Sequence, residues 1–69
     1  MKDSSLGSFL QQLRKENQLT QKELASQLHV TDKAVSKWER NEAMPEAEKL
    51  VRISRQFGVS TDYLLLEEL

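Results

Sequence analysis

Asp32, Lys33, Ser36, Lys37 and Arg40 fall, at helical spacing, on the side opposite a narrow apolar stripe of Ala34, Val35 and Trp38. The chemistry these side chains support is exchange of hydrogen bonds and charge with a partner: lysine donates, aspartate accepts, and a serine hydroxyl does either. Bond-breaking chemistry has no comparable set. The single histidine, His29, has no nucleophile elbow, glycine-rich phosphate loop or metal-ligand cluster to complete a site, and the chain contains no cysteine. His29 reads as a turn residue, and no catalytic residue, metal or cofactor is expected. Trp38 shares the buried stripe and reads as a core anchor rather than a stacking platform.

The elements around this face follow from local signals. Thr20-Gln21-Lys22-Glu23 is a capping box, in which the threonine hydroxyl accepts from the Glu23 N–H and the Glu23 carboxylate reaches back to the Thr20 N–H. A helix starts there and places Leu24, Ala25 and Leu28 on one face. The periodicity breaks at His29-Val30, and Thr31 offers a new N-cap ahead of Asp32, whose charge suits the positive end of a helix. Two short capped helices joined by a tight turn make a helix-turn-helix, a device that sets its second helix in a groove of double-stranded DNA.

Leu13-Arg14, Leu19-Thr20-Gln21, Leu24-Ala25, Val35-Ser36-Lys37-Trp38-Glu39, Pro45 and Phe57-Gly58-Val59 stand in an order and spacing that resembles the Cro and phage-repressor type of helix-turn-helix, the xenobiotic-response-element-like family. The resemblance covers nearly the whole chain. It implies an all-α, five-helix, lambda-repressor-like domain with helices two and three as the motif, in a transcriptional regulator that represses from a pseudo-palindromic operator as a dimer. By the same resemblance Asp32, Lys33, Ser36 and Lys37 are candidates for base contact, and Gln21, Thr31, Arg40 and Asn41 for phosphate contact. Arg14 and Glu39 would form a structural pair that fixes the third helix on the scaffold. Lys33 and Lys37 can donate to guanine O6 and N7, Asp32 can accept from cytosine N4, and Ser36 can serve either role, so G·C pairs are expected in the half-site. Lysines confined to phosphates would carry no such preference.

Two positions depart from the family pattern. His29 and Asn41 stand where the family usually has glycine, and each slot calls for a left-handed backbone that these residues tolerate less well than glycine.

Composition bounds the rest. With 69 residues and 38% hydrophobic content, the chain supports one small domain over residues 1–69, with residues 1–4 expected to be disordered. The absence of cysteine agrees with a reducing cytoplasm. The opening residues carry no long apolar run, and no segment approaches the roughly 20 apolar residues that span a bilayer. A cytoplasmic, nucleoid-associated protein is expected, with no membrane partner.

A formal charge of −1 runs against the basic signature of a nucleic-acid binder. Its distribution answers the objection. Arg14 to Arg40 holds six basic and four acidic residues, whereas Asn41 to Leu69 holds three basic and six acidic ones. The positive half coincides with the proposed DNA-facing helices, and the acidic half can orient the molecule in the field of DNA.

Scaffold helices flank the motif. Leu6, Phe9, Leu10 and Leu13 predict a first helix from about Ser5 to Asn17. Pro45 suits the first position of a fourth helix whose broad apolar face is Ala47, Leu50, Val51, Ile53 and Phe57, with Gly58 as its left-handed stop. Ser60 or Thr61 then caps a short fifth helix containing Tyr63, Leu64, Leu65 and Leu66. That terminal helix carries more apolar surface than so small a core readily takes. It closes the core, makes a homodimer contact through Tyr63, Leu65 and Leu66, or meets a further C-terminal domain. The competing functional class is an antitoxin or protein-interaction module, and an RNA-binding role is disfavoured because the contact helix lacks exposed aromatics.

Overall fold

The computed structural model describes residues 5–59, and among these the chain forms four α-helices and no strand. They are α1 (Leu6–Glu16), α2 (Gln21–Leu28), α3 (Asp32–Glu39) and α4 (Ala47–Phe57). The disordered start expected of residues 1–4, and the fifth helix with its Tyr63, Leu65 and Leu66 contact, lie outside the described residues.

Helix starts follow the capping residues. Ser5 Oγ accepts from the Ser8 N–H at 3.2 Å, and Thr31 Oγ1 accepts from the Ala34 N–H at 3.1 Å. The capping box at α2 is complete, with Glu23 N–H to Thr20 Oγ1 at 3.0 Å and Thr20 N–H to Glu23 Oε1 at 2.8 Å. Each cap satisfies donors that the first turn leaves without intrahelical partners. At α4 the expectation is corrected by two residues. Pro45 precedes the helix, Glu46 is the N-cap without a side-chain cap bond, and Pro45 is buried against the body of the domain.

The core takes Leu6, Leu10 and Leu13 from α1, Leu24, Ala25 and Leu28 from α2, Val35 and Trp38 from α3, and Leu50 and Ile53 from α4. Phe9, Leu19, Val30, Ala34, Phe57 and Val59 pack around it. Burying an aliphatic side chain is worth about 1.5–3 kcal/mol, so this set is the main source of stability. The α4 face is narrower than the sequence suggests, since Ala47 and Val51 lie on its exposed side. The centre of the arrangement is α3, packed against both α1 and α2, while α4 rests on α2. Lys49 ties the last two by donating to the Leu28 carbonyl at 3.2 Å, where a cation also complements the negative end of α2.

All four helices end in the same way. Gln18, His29, Asn41 and Gly58 have φ of 59°, 60°, 60° and 70°, and the next residue's N–H turns back on the helix. Those bonds run from Leu19 to the Arg14 carbonyl, from Val30 to Ala25, from Glu42 to Lys37 and from Val59 to Ser54, at 2.8–3.1 Å. This is the Schellman closure, which favours glycine at the left-handed residue. Only α4 has it.

The left-handed geometry at His29 makes a stabilising substitution available. Glycine relieves about 1–2 kcal/mol of steric cost there but frees the unfolded chain by about 0.4–1 kcal/mol. His29→Gly is therefore expected to raise the thermal midpoint by roughly 4 °C, read by circular dichroism. A lower midpoint would refute strain at this turn.

Candidate nucleic-acid interface

Two features fix α3 on the scaffold. Val35 and Trp38 are buried, and Glu39 at its last turn enters an ion pair with Arg14 of α1. Arg14 Nε donates to Glu39 Oε2 at 2.7 Å and Nη2 to Oε1 at 3.1 Å, with side-chain exposures of only 10% and 2%. The third guanidinium nitrogen, Nη1, donates to the Leu19 carbonyl at 2.8 Å, and Gln21 Nε2 donates to Glu39 Oε1 at 3.0 Å. One buried carboxylate thus receives three donors from two helices, while its arginine also binds the turn between them. Among the described residues no buried side-chain nitrogen or oxygen lacks a partner, which is the condition under which a buried pair is sustained.

With its inner side held in this way, α3 presents the rest outward. Asp32, Lys33 and Lys37 are exposed, and Ser36 is half-buried. Thr31 is exposed at the helix start, where its oxygen caps Ala34 and its hydroxyl proton remains a possible donor. The face is convex. A groove between α2 and α4, along Leu28, Val51 and Arg52, contains none of the candidate contact residues.

Three expected phosphate contacts are placed differently. Gln21 directs its amide to Glu39 and is half-buried. Asn41 is a tether: its Oδ1 accepts from the Gly7 N–H at 3.1 Å and its Nδ2 donates to Ser5 Oγ at 2.9 Å. Both ends of that amide are engaged with the start of α1, because α1 lies directly against the end of α3, and Asn41 is exposed with one Nδ2 hydrogen left over. Arg40 does not stand free either. Its Nε and Nη2 donate to the two carboxylate oxygens of Glu42, each at 3.0 Å, and Nη1 donates to Ser36 Oγ at 2.7 Å.

The Arg40 and Glu42 pair is exposed, with side-chain exposures of 57% and 53%. Hydrogen bonds from Arg40 and then its charge hold the Glu42 carboxyl below the usual carboxylate range, with Lys37 adding to the effect against a small cost of burial. The hydrogen bonds to Glu42, and then the Glu42 charge, raise Arg40 in turn. Each partner therefore favours the other's ionised form.

Gly7, Gln18 and Glu42 were not singled out by sequence reasoning. An isolated glycine in the helical pattern LGSFL was a usable signal for Gly7. Glu42 follows Arg40 by two residues, a spacing that faces nothing on a helix. Only the left-handed turn at Asn41 brings them together.

Comparison with known proteins extends these observations. A family model described as helix-turn-helix matches residues 10–64. The chain is similar to the HTH-type transcriptional activator BcrR of Enterococcus faecalis, at 49% identity over 86% of this chain and 29% of that protein. It is similar to repressor protein C2 of Salmonella phage P22, at 33% identity over 100% of this chain and 32% of that protein. The chain thus spans less than a third of either relative's length. Among solved structures it is similar to the P22 c2 repressor protein in complex with a synthetic operator, with a TM-score of 0.82, 33% identity, and coverage of 87% of this chain and 91% of that one. No helix among the described residues is long and apolar enough to cross a membrane. On its own motif and on these likenesses together, the chain belongs to the helix-turn-helix family, of the Cro and phage-repressor type.

Proposed function

We propose that this chain is the sequence-reading domain of a cytoplasmic transcriptional repressor and that α3 enters the major groove of its operator. The observation that carries the reading is the contrast between the two sides of α3. One is locked by Val35, Trp38 and the Arg14–Glu39 pair, and the other leaves Asp32, Lys33 and Lys37 open to a partner. A rigidly held helix with solvent-facing donors is what base readout requires. The similarity to the P22 c2 repressor solved on an operator supports DNA as the partner and repression as the outcome.

In this reading Lys33, Lys37, Asp32 and Ser36 meet base edges. Thr31 and the unpartnered N–H groups at the start of α3 meet phosphate, as does the second amide hydrogen of Gln21 at the start of α2. The operator is pseudo-palindromic, and a dimer spans half-sites about 34–36 Å apart, one helical turn. Each domain neutralises few phosphates, so affinity is modest and falls steeply with salt. An activator is the second reading, favoured by the 49% identity with BcrR.

Selection of bound sequences from a random duplex library tests the reading, followed by Lys33→Ala on the selected site. A short G·C-containing inverted repeat is expected to be enriched. The substitution is expected to cost about 1–3 kcal/mol on that site and far less on unrelated duplexes. Equal weakening on all sequences would reassign Lys33 to a phosphate. No enrichment, even at low salt, would favour the antitoxin or protein-interaction class.

A further inference from the structure

Ser36 and Arg40 stand one turn apart on the outward side of α3, and Glu42 returns to that side because the chain reverses at Asn41. The reversal is fixed by the Glu42 N–H, which donates to the Lys37 carbonyl at 2.8 Å. Glu42 engages Nε and Nη2 of Arg40, and the remaining Nη1 donates to Ser36 Oγ at 2.7 Å. A guanidinium is planar and carries donors only, so holding two of its nitrogens aims the third. Ser36 must accept at this contact. Its hydroxyl proton points elsewhere, and the neighbouring cation makes that O–H a stronger donor.

An exposed pair of this kind adds little to stability, so its consequence is orientation rather than folding energy. We propose that Glu42 and Arg40 are positioning residues for base readout: they hold Ser36 as a donor, so the base it meets presents a major-groove acceptor. Guanine, thymine and adenine (through N7) satisfy that requirement. Cytosine, whose group there is the N4 amino donor, does not. Ser36 alone could serve either role, and the relay removes the ambiguity. The inference rests on α3 being the DNA-contacting helix.

Bound duplexes are selected from a random library with the intact chain and with Ser36→Ala, Glu42→Gln and Arg40→Lys, and thermal unfolding of each verifies the fold. The intact chain is expected to disfavour cytosine about fivefold at one position of each half-site, the worth of one hydrogen bond. Ser36→Ala identifies that position by flattening it. Glu42→Gln is expected to flatten the same position and leave the others, and so is Arg40→Lys, which keeps the charge but lacks the fork. Cytosine at the Ser36 position would overturn the proposal. So would an unchanged profile in Glu42→Gln with uniformly tighter, more salt-dependent binding, the mark of an arginine released to a phosphate. If the intact chain enriches no sequence, the DNA-reading function itself fails and the relay with it. Enrichment with a profile indifferent to Glu42 and Arg40 sinks the relay alone.

Discussion

Glu39→Ala is expected to destabilise the domain by about 3–5 kcal/mol, measured by urea unfolding, because it strands the Arg14 guanidinium in a nearly dry site. Nε and Nη2 lose both acceptors, and only the Leu19 carbonyl remains to Arg14. Gln21 loses its acceptor as well. A domain of this length has a total stability of roughly 3–10 kcal/mol, so the substitution takes a large part of it. The charge itself is not what the fold needs. Replacing both members, Arg14→Leu with Glu39→Leu, removes the buried charges together and is expected to recover most of the loss. A cost below about 1 kcal/mol for Glu39→Ala would mean that water reaches the pair and that α3 is held by its apolar stripe alone. A double variant as unstable as the single one would instead show that the polar geometry is required for packing.

The same pair marks how far local signals reach. Capping residues and periodicity located all four described helices to within a residue or two, since each signal is read within one turn. Thr20 with Glu23 and Thr31 ahead of Asp32 are of this kind. The shift at Pro45 has a related origin. Proline fixes its own φ at a value compatible with a first helical position and with the extended segment before one, so type alone does not separate the two. The left-handed turns were partly legible: Gly58 by type, and His29 and Asn41 through the family pattern. Gln18 was not, because glutamine carries no preference for that backbone and the closure of α1 is imposed by the short path to α2.

Tertiary consequences were legible only where a resemblance supplied them. Arg14 and Glu39 lie 25 residues apart, and no spacing rule joins them. The phosphate contact expected of Asn41 comes from the resemblance, whereas the two partners that the approach of α1 gives its amide are not legible in the sequence. The resemblance likewise supplies the expectation for Arg40. Its actual direction depends on where the chain reverses, which is a property of the Asn41 turn and not of arginine.

Gly7→Ala discriminates most sharply between local preference and tertiary packing, because the two predict opposite signs. Alanine is better than glycine in a helix by about 0.8–1.0 kcal/mol, so α1 considered alone would gain. In the folded domain a Cβ at residue 7 would lie 2.4 Å from the Trp38 carbonyl oxygen, 2.8 Å from that of Glu39 and 2.7 Å from Asn41 Oδ1. Two of these are backbone atoms at the end of α3, so no rotamer change relieves the overlap. The helices must separate, at a cost of about 1–3 kcal/mol for overpacking. Separation also stretches the Asn41 tethers to Gly7 and Ser5, each worth about 1 kcal/mol. Net of the propensity gain, a loss of about 2–4 kcal/mol is expected, and a fall of roughly 10 °C or more in the thermal midpoint. Gln12→Ala, on the exposed side of α1, is the control and is expected to stay within about 0.5 kcal/mol. A midpoint that rises in Gly7→Ala would show that α1 and the end of α3 can part without loss. The close approach would then have no part in holding α3, and the Arg14–Glu39 pair, with Gln21 on the same carboxylate, would be left to set the direction of the contact helix.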